Sequence, residues 1–180
     1  MRFTFGLVAA IVGFAVGAAA APLTPLLVPK LCGDPRLAVS LLRAYNPIGL
    51  DHFYTTDVEE FQNAITKLGY IDEGTTGYLF PSQEPHTIAF YRMFNSAVVD
   101  RFYTTSIPEV DYALESLGYT YEGIAGYLYP DTACGALPLY RLDSASAKEH
   151  FYTMSNDEGN TASVVNGYHF EGIAGYLFPF

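Results

Sequence analysis

Three pairs of adjacent acidic and basic residues could do chemistry, and they recur at one fixed spacing. The pairs lie 49 residues apart and each precedes a Phe-Tyr-Thr triplet: Asp51-His52, Asp100-Arg101 and Glu149-His150. An acid beside a histidine is typical of acid–base or metal sites. Neighbouring side chains on a strand face opposite sides, so the members of one pair cannot converge on one atom. The six residues are therefore either a shared, pH-sensitive ligand-binding cluster or exposed, charged strand starts.

The Phe-Tyr-Thr triplets add aromatic candidates. Because side chains alternate along a strand, the Phe and Thr side chains share one face and the Tyr side chain takes the other. The phenylalanines are predicted to lie in the core. An aromatic ring with a hydroxyl tip suits stacking against a sugar. The ligand-binding candidates are therefore the three middle residues, Tyr54, Tyr103 and Tyr152. A core position for these tyrosines is the alternative.

A second charged set recurs with the same period. Its members are Arg43, Arg92 and Arg141 together with Glu73, Glu122 and Glu171. Charges placed identically among aromatic residues are usually paired when they are buried. We therefore predict a structural arginine–glutamate pair in every unit. The alternative is that these residues anchor a polar ligand such as a sugar.

The sequence carries no familiar enzyme signature. It contains no G-x-S-x-G, H-E-x-x-H, P-loop or dinucleotide-binding motif. No Cys/His spacing suggests zinc, so we expect no cofactor, no metal and no catalytic residue. Catalysis needs one asymmetric constellation, whereas these candidates come in threes, as in a multivalent binder. A polysaccharide hydrolase remains an alternative, because a pair of catalytic carboxylates needs no local motif.

The elements that position these residues form three copies of one unit. We place the copies at residues 42–90, 91–139 and 140–180, with no insertion between them. Each copy predicts two strands, a helix and a closing strand. A Gly-x-x-Gly segment before the end of each copy predicts a tight turn or a bulge.

The helix of each copy has recognisable ends. A capping box, in which glutamate lies three residues after the N-cap, starts at each of Asp57, Ser106 and Ser155. A C′ glycine ends each helix. The third helix is predicted to be weak, because its inner face carries Gly159, Ser163 and Asn166.

These elements predict an α+β fold. We expect three strand-strand-helix-strand repeats around a pseudo-threefold axis, closing into a ring-like, propeller- or trefoil-like single domain at 42–180. A closed ring fits better than an open solenoid, because no polar capping repeat is visible.

The motifs resemble a repeat family of unknown function found in secreted fungal and bacterial proteins. The resemblance rests on His-Phe-Tyr-Thr-Thr, Leu-Gly-Tyr and Glu-Gly-Ile-Ala-Gly-Tyr-Leu, and it covers about residues 41–180. Bacterial members often accompany cell-wall or polysaccharide hydrolases, so the resemblance implies binding to carbohydrate or cell wall. It supplies no catalytic residues. A small acidic version also resembles fungal secreted immunomodulatory proteins.

The N-terminus predicts export. Residues 1–20 have the basic start, apolar stretch and small residues of a cleaved signal peptide, and 21–41 form a leader. In an exported chain, Cys32 and Cys134 predict a disulfide. A net charge of −10 disfavours nucleic acid and anionic membranes as partners.

Taken together, these features predict a secreted, extracellular, non-catalytic binding protein. We expect it to be lectin-like, with up to three related sites for carbohydrate or cell-wall polysaccharide. The first alternative is an immunomodulatory effector that forms a homodimer and contacts a cell-surface receptor. The polysaccharide hydrolase is the second.

Overall fold

A computed structural model describes residues 31–179. The predicted signal peptide at 1–20 and the first part of the predicted leader lie outside the described residues. The strands and α-helices follow one another in the order β1 (Val39–Asn46), β2 (Asp51–Thr55), α1 (Val58–Lys67), β3 (Ile71–Leu79), β4 (Ile88–Asn95), β5 (Asp100–Thr104), α2 (Ile107–Ser116), β6 (Thr120–Leu128), β7 (Leu137–Ser144), β8 (Glu149–Thr153), α3 (Asn156–Val165) and β9 (His169–Leu177).

The elements repeat as predicted, but the unit boundaries move. Unit one is β1, β2, α1 and β3; unit two runs from β4 to β6, and unit three from β7 to β9. The first strands begin at Val39, Ile88 and Leu137. The predicted boundaries after residues 41, 90 and 139 fall inside these strands and are wrong, because the Arg-bearing strand extends further towards its N-terminus. Leu41, assigned to the leader, is fully buried in the core.

Each unit builds one three-stranded antiparallel sheet. The first strand is central, as in the order β2-β1-β3. The third strand is continuous through the Gly-x-x-Gly segment, where the register shifts. This segment is therefore a bulge inside one strand, and its first glycine takes a positive φ, +82° at Gly74.

The second glycine of that segment allows two units to touch. A Cβ atom on Gly126 would lie 1.8 Å from Cδ1 of Leu79, which belongs to the neighbouring unit. The missing side chain lets β3 and β6 approach each other. Backbone hydrogen bonds join Phe80 to Tyr127 at the same place.

The three units share one core. Strands β2, β5 and β8 contact one another, and a central cluster draws buried side chains from every unit, including Tyr54, Tyr103 and Tyr152. A second trio packs edge to face, with ring centroids 5.5 to 5.9 Å apart: Phe80, Tyr129 and Phe178. These cyclic contacts indicate a threefold arrangement of sheets. Within residues 31–179 the strands form three separate sheets and not one continuous barrel.

The helices cover their own sheets. Phe61 and Ala64 of α1 are buried against its sheet, whereas Leu68 at the end of the helix is 55% exposed. The N-cap side chains of Asp57, Ser106 and Ser155 accept the expected backbone N–H bonds. Helix α3 forms over the same length as α1 despite its polar face.

The predicted disulfide is confirmed. Cys32 is bonded to Cys134, which ties the segment before β1 to the segment before β7. The Gly33 N–H donates to the Tyr129 hydroxyl beside it. No helix in the described part of the chain is long and apolar enough to cross a membrane.

Candidate functional site

The acidic–basic pairs meet between units and not within them. Each acid binds the basic residue of another unit: Asp51 binds Arg101 at 2.5 Å, Asp100 binds His150 at 2.7 Å and Glu149 binds His52 at 2.9 Å. The same acid also accepts the backbone N–H of that basic residue. The acids are at most 1% exposed. The interpretation as exposed strand starts is therefore wrong, since the strands that carry the pairs pack against each other.

A tyrosine directly before the closing strand completes each cluster. The hydroxyls of Tyr70, Tyr119 and Tyr168 donate to Asp51, Asp100 and Glu149 respectively. These tyrosines were not among the sequence candidates. The signal for two of them was the recurring Leu-Gly-Tyr motif, which places an aromatic residue directly after the helix.

The arginine–glutamate set lies beside these clusters. Within each unit, Arg Nε contacts Glu at 2.9 to 3.0 Å, in the pairs Arg43–Glu73, Arg92–Glu122 and Arg141–Glu171. The other guanidinium nitrogens bind the capping-box glutamate of a different unit, in the pairs Arg43–Glu158, Arg92–Glu60 and Arg141–Glu109. Each arginine therefore links two units through two carboxylates.

The capping boxes are consequently incomplete. The Glu60 side chain accepts from the Thr55 hydroxyl and from Arg92, while the Asp57 N–H donates to Thr55 Oγ1. Burial alone would raise the pKa of Glu60, but the bonds from Arg92 and Thr55 lower it. The sequence predicted a local helix cap, and the structure uses this glutamate to join two units.

The tyrosines predicted to bind ligand lie at the centre of the molecule. Tyr54, Tyr103 and Tyr152 are at most 1% exposed, and their rings meet edge to face at 5.4 to 5.5 Å. Each hydroxyl donates to a backbone carbonyl of the trio and accepts a backbone N–H, with distances of 2.8 to 2.9 Å. Their assignment as ligand-binding residues is wrong, because the core alternative accounts for every polar atom of the rings.

Burial and hydrogen bonding shift the pKa values of the two histidine clusters differently. It raises the pKa of Glu149 to about 9 and lowers the pKa of His52 to about 4, which gives a neutral pair at pH 7. Burial also disfavours charged His150, but the bond from His150 to Asp100 outweighs it and raises the pKa of that imidazole. The imidazole pKa therefore moves in opposite directions in the two clusters.

Two clefts open beside the histidines. One has a volume of about 200 Å³ and is lined by His52, Glu73, Phe151, Glu158 and Tyr168 among others. The other has a volume of about 190 Å³ and is lined by the corresponding residues, including His150, Glu171, Phe102, Glu109 and Tyr119. The predicted histidines and the structural glutamates thus share walls of the same clefts.

A third opening lies on unit three, between α3 and its sheet. This groove has a volume of about 330 Å³, and its lining is Tyr140, Asn156, Gly159, Asn160, Ser163 and Phe170. Gly159 is buried at its base, and the rings of Tyr140 and Phe170 lie 6.0 Å apart. None of the six described lining residues is charged. The sequence indicated a weak helix here but not a groove.

The described side chains provide no obvious metal site. Across residues 31–179, no group of three or more His, Cys, Asp or Glu residues is arranged to hold a metal ion. The carboxylates of the three clusters are instead occupied by arginine, histidine and tyrosine.

Comparison with known proteins gives a family and no activity. A family model described as a domain of unknown function (DUF5648) matches residues 40–178. No curated protein and no solved structure matches the chain. The match spans all three units from β1 to β9, so the chain belongs to this domain family of unknown function.

Proposed function

We propose that the protein is a secreted, non-catalytic, lectin-like protein that binds carbohydrate in the groove of unit three. The observation that carries the proposal is the combination of an aromatic pair with uncharged polar side chains around one opening. A sugar ring offers C–H faces to aromatic rings and hydroxyls to amide groups. Asn156, Asn160 and Ser163 supply the polar groups, while Tyr140 and Phe170 supply the rings.

Comparison between units supports this choice. In unit two, the positions of Asn156, Gly159 and Ser163 hold Ile107, Val110 and Leu114. Unit one holds Val58, Phe61 and Ile65 there. Only unit three carries polar residues and a glycine at these places, so its helix exchanges apolar packing for an open, polar surface. The volume of about 330 Å³ is also within the range of small-ligand sites.

The proposal includes an extracellular location and a ring-like closure of the three units. The Cys32–Cys134 bond supports the first, since disulfides persist in oxidising compartments. The cyclic contacts among β2, β5 and β8 support the second. A closed ring would hold the groove on a rigid scaffold.

A glycan array, with pull-downs on chitin, glucan and peptidoglycan, tests the proposal. We expect binding that Gly159→Val removes, because this change restores the residue of unit two and fills the groove. Asn160→Ala should weaken binding about tenfold, whereas Gln62→Ala, the same position in α1, should leave it unchanged. The proposal fails if no glycan binds, or if binding survives both groove variants. Hydrolysis of the same polysaccharides would favour the hydrolase instead.

A further inference from the structure

The three boundaries between units share most of their side-chain types and differ in the basic residue. Each boundary contains an acid from β2, β5 or β8, a glutamate of a closing strand, a capping-box glutamate, a tyrosine and a phenylalanine. The differing residue is Arg101 between units one and two, His150 between units two and three, and His52 between units three and one. Arginine and histidine can therefore be compared at equivalent boundaries of the same molecule.

Arg101 fills its boundary as a bound cation would. Its guanidinium lies 2.5 Å from Asp51 and 2.8 Å from the Tyr70 hydroxyl. The guanidinium carbon is 4.9 Å from the centroid of the Phe53 ring and 4.4 Å from that of Phe94. A cation within about 6 Å of an aromatic face is attracted by the ring quadrupole. This boundary is thus a cage of acids and aromatic rings that already holds a guanidinium group.

The two histidine boundaries keep the phenylalanine, the tyrosine and the glutamates of this cage but hold a shorter basic side chain. The position of Phe94 is Tyr45 at the His52 boundary and Asp143 at the His150 boundary. His52 contacts Glu149 at 2.9 Å and Glu73 at 3.5 Å, the counterparts of the two acids that Arg101 contacts. The cleft of about 200 Å³ lies beside it, lined by Phe151 and Tyr168. His150 has the equivalent cleft of about 190 Å³. At both boundaries a cleft therefore lies beside the histidine that stands at the position of Arg101.

The boundaries also differ in the number of arginines that they hold. The boundary with Arg101 sets three carboxylates, Asp51, Glu122 and Glu60, against two arginines, the second being Arg92. Each histidine boundary holds only one arginine, Arg43 or Arg141. Because Glu149 is protonated at pH 7, the His52 boundary differs from the Arg101 boundary in the space beside the shorter side chain and not in net charge. An imidazole is smaller than a guanidinium and carries its charge only when it is protonated.

We propose that the clefts beside His52 and His150 bind a small organic cation, a guanidinium or a primary ammonium group, between the glutamates and the aromatic rings. The cation would take the place, between acids and aromatic rings, that the Arg101 guanidinium has at the first boundary. A cavity of about 200 Å³ admits such a head group and not a chain of sugars. These sites are separate from the groove of unit three, and neither proposal depends on the other.

Exchange of histidine and arginine between boundaries tests this proposal. We expect methylguanidinium, titrated at constant ionic strength and followed by NMR, to occupy two sites per chain. His52→Arg should leave one site, and the double variant with His150→Arg should lose both, with affinity reduced at least tenfold. Arg101→His should create a third site. Every variant installs a residue that another unit already has at this position, and thermal unfolding checks that the fold is kept.

Three further outcomes decide the matter. Competition by acetyl-arginine amide or by glucosamine would support the proposal and identify a peptide or an amino sugar as the source of the cation. Unchanged methylguanidinium binding in a folded double variant would overturn it. The proposal would also be overturned if methylguanidinium changed the NMR spectrum of the wild-type protein only as much as sodium chloride does. Sugar binding in the groove should be the same in all these variants.

Discussion

Each central tyrosine makes two hydrogen bonds that no other residue supplies. The Tyr103 hydroxyl donates to the Tyr54 carbonyl and accepts the Tyr54 N–H. Tyr103→Phe would leave both backbone groups buried without a partner, at a cost of about 1–3 kcal/mol each. We expect urea unfolding to show a loss of stability of about 2–6 kcal/mol for the two groups together. Tyr112→Phe is the control, because that side chain is 60% exposed and surface changes stay within about 0.5 kcal/mol. A loss in Tyr103→Phe no larger than that of the control would contradict the structure.

The buried Glu149 predicts a dependence of stability on pH. Its pKa is about 9 in the folded protein against an ordinary 4.5, so the folded state binds the extra proton between these values. Stability therefore falls as the pH rises through this interval. The lowered pKa of His52 has the opposite sign, but only between pH 4 and 6.5. The raised pKa of His150 adds to the decline above pH 6.5.

We therefore expect the free energy of unfolding to decrease between pH 6.5 and 9. Glu149→Gln should flatten this decrease, since glutamine does not titrate and still accepts the His52 N–H. The other ionisable groups around Glu149 are Tyr168, Asp51, Asp100 and His150. Chemical unfolding at several pH values measures both proteins. An equally steep decline in the variant would show that Glu149 does not carry the effect.

At this scale the sequence predicted residue types better than roles. The recurrence of the acids, arginines and tyrosines was plain from the 49-residue spacing. Alternation along the strand correctly separated Asp51 from His52, but it could not show that Asp51 would meet Arg101 from another unit. The outcome at Tyr54 had the same cause, since a tyrosine suits a core and a binding surface equally well until its neighbours are known.

Among the elements, α3 is the one that departs from its counterparts. Gly159 lies within the helix, and a Cβ atom there would be 3.7 Å from Thr153 Cγ2 and 3.9 Å from Leu142 Cδ1, which are ordinary contacts. Gly159→Ala should therefore stabilise the protein by about 0.5–1 kcal/mol, because alanine loses less backbone entropy in a helix. Thermal and urea unfolding measure the change. A loss of stability would mean that the base of the groove cannot accept a methyl group.

The ends of the helices could be predicted from the sequence, whereas the course of the closing strand in each unit could not. N-cap residues and C′ glycines act through local hydrogen bonds, so Asp57 and Gly69 mark the ends of α1 from sequence alone. The Gly-x-x-Gly segment was compatible with a turn or a bulge. It forms a bulge because the closing strand pairs with the first strand on both sides of it. Gly126 had a further reason that the sequence could not reveal, namely the approach of Leu79.

For the whole molecule, the sequence indicated three equal units but not how they touch. The links are long-range: Arg92 reaches Glu60 of unit one, and the Phe80 backbone pairs with Tyr127 of unit two. Each link uses residues that already have an expected partner within their own unit, such as a glutamate in a capping box. The prediction of a threefold arrangement came from the repeat, whereas its contacts required the structure.

The disulfide affects the stability of the whole molecule, because it closes a loop that contains two of the three units. Cys32 and Cys134 are 102 residues apart, and a loop of about 100 residues corresponds to a stabilisation of up to about 4.7 kcal/mol from the reduced entropy of the unfolded chain. We expect the double variant Cys32→Ser/Cys134→Ser to unfold at lower urea concentration while keeping its native spectrum, since the core shared by the three units remains. Reduced wild-type protein is the matched control and should coincide with the variant. Equal stability of oxidised and reduced protein would show that the segment before β1 adds nothing to the threefold core, and that the Gly33–Tyr129 contact beside it is incidental.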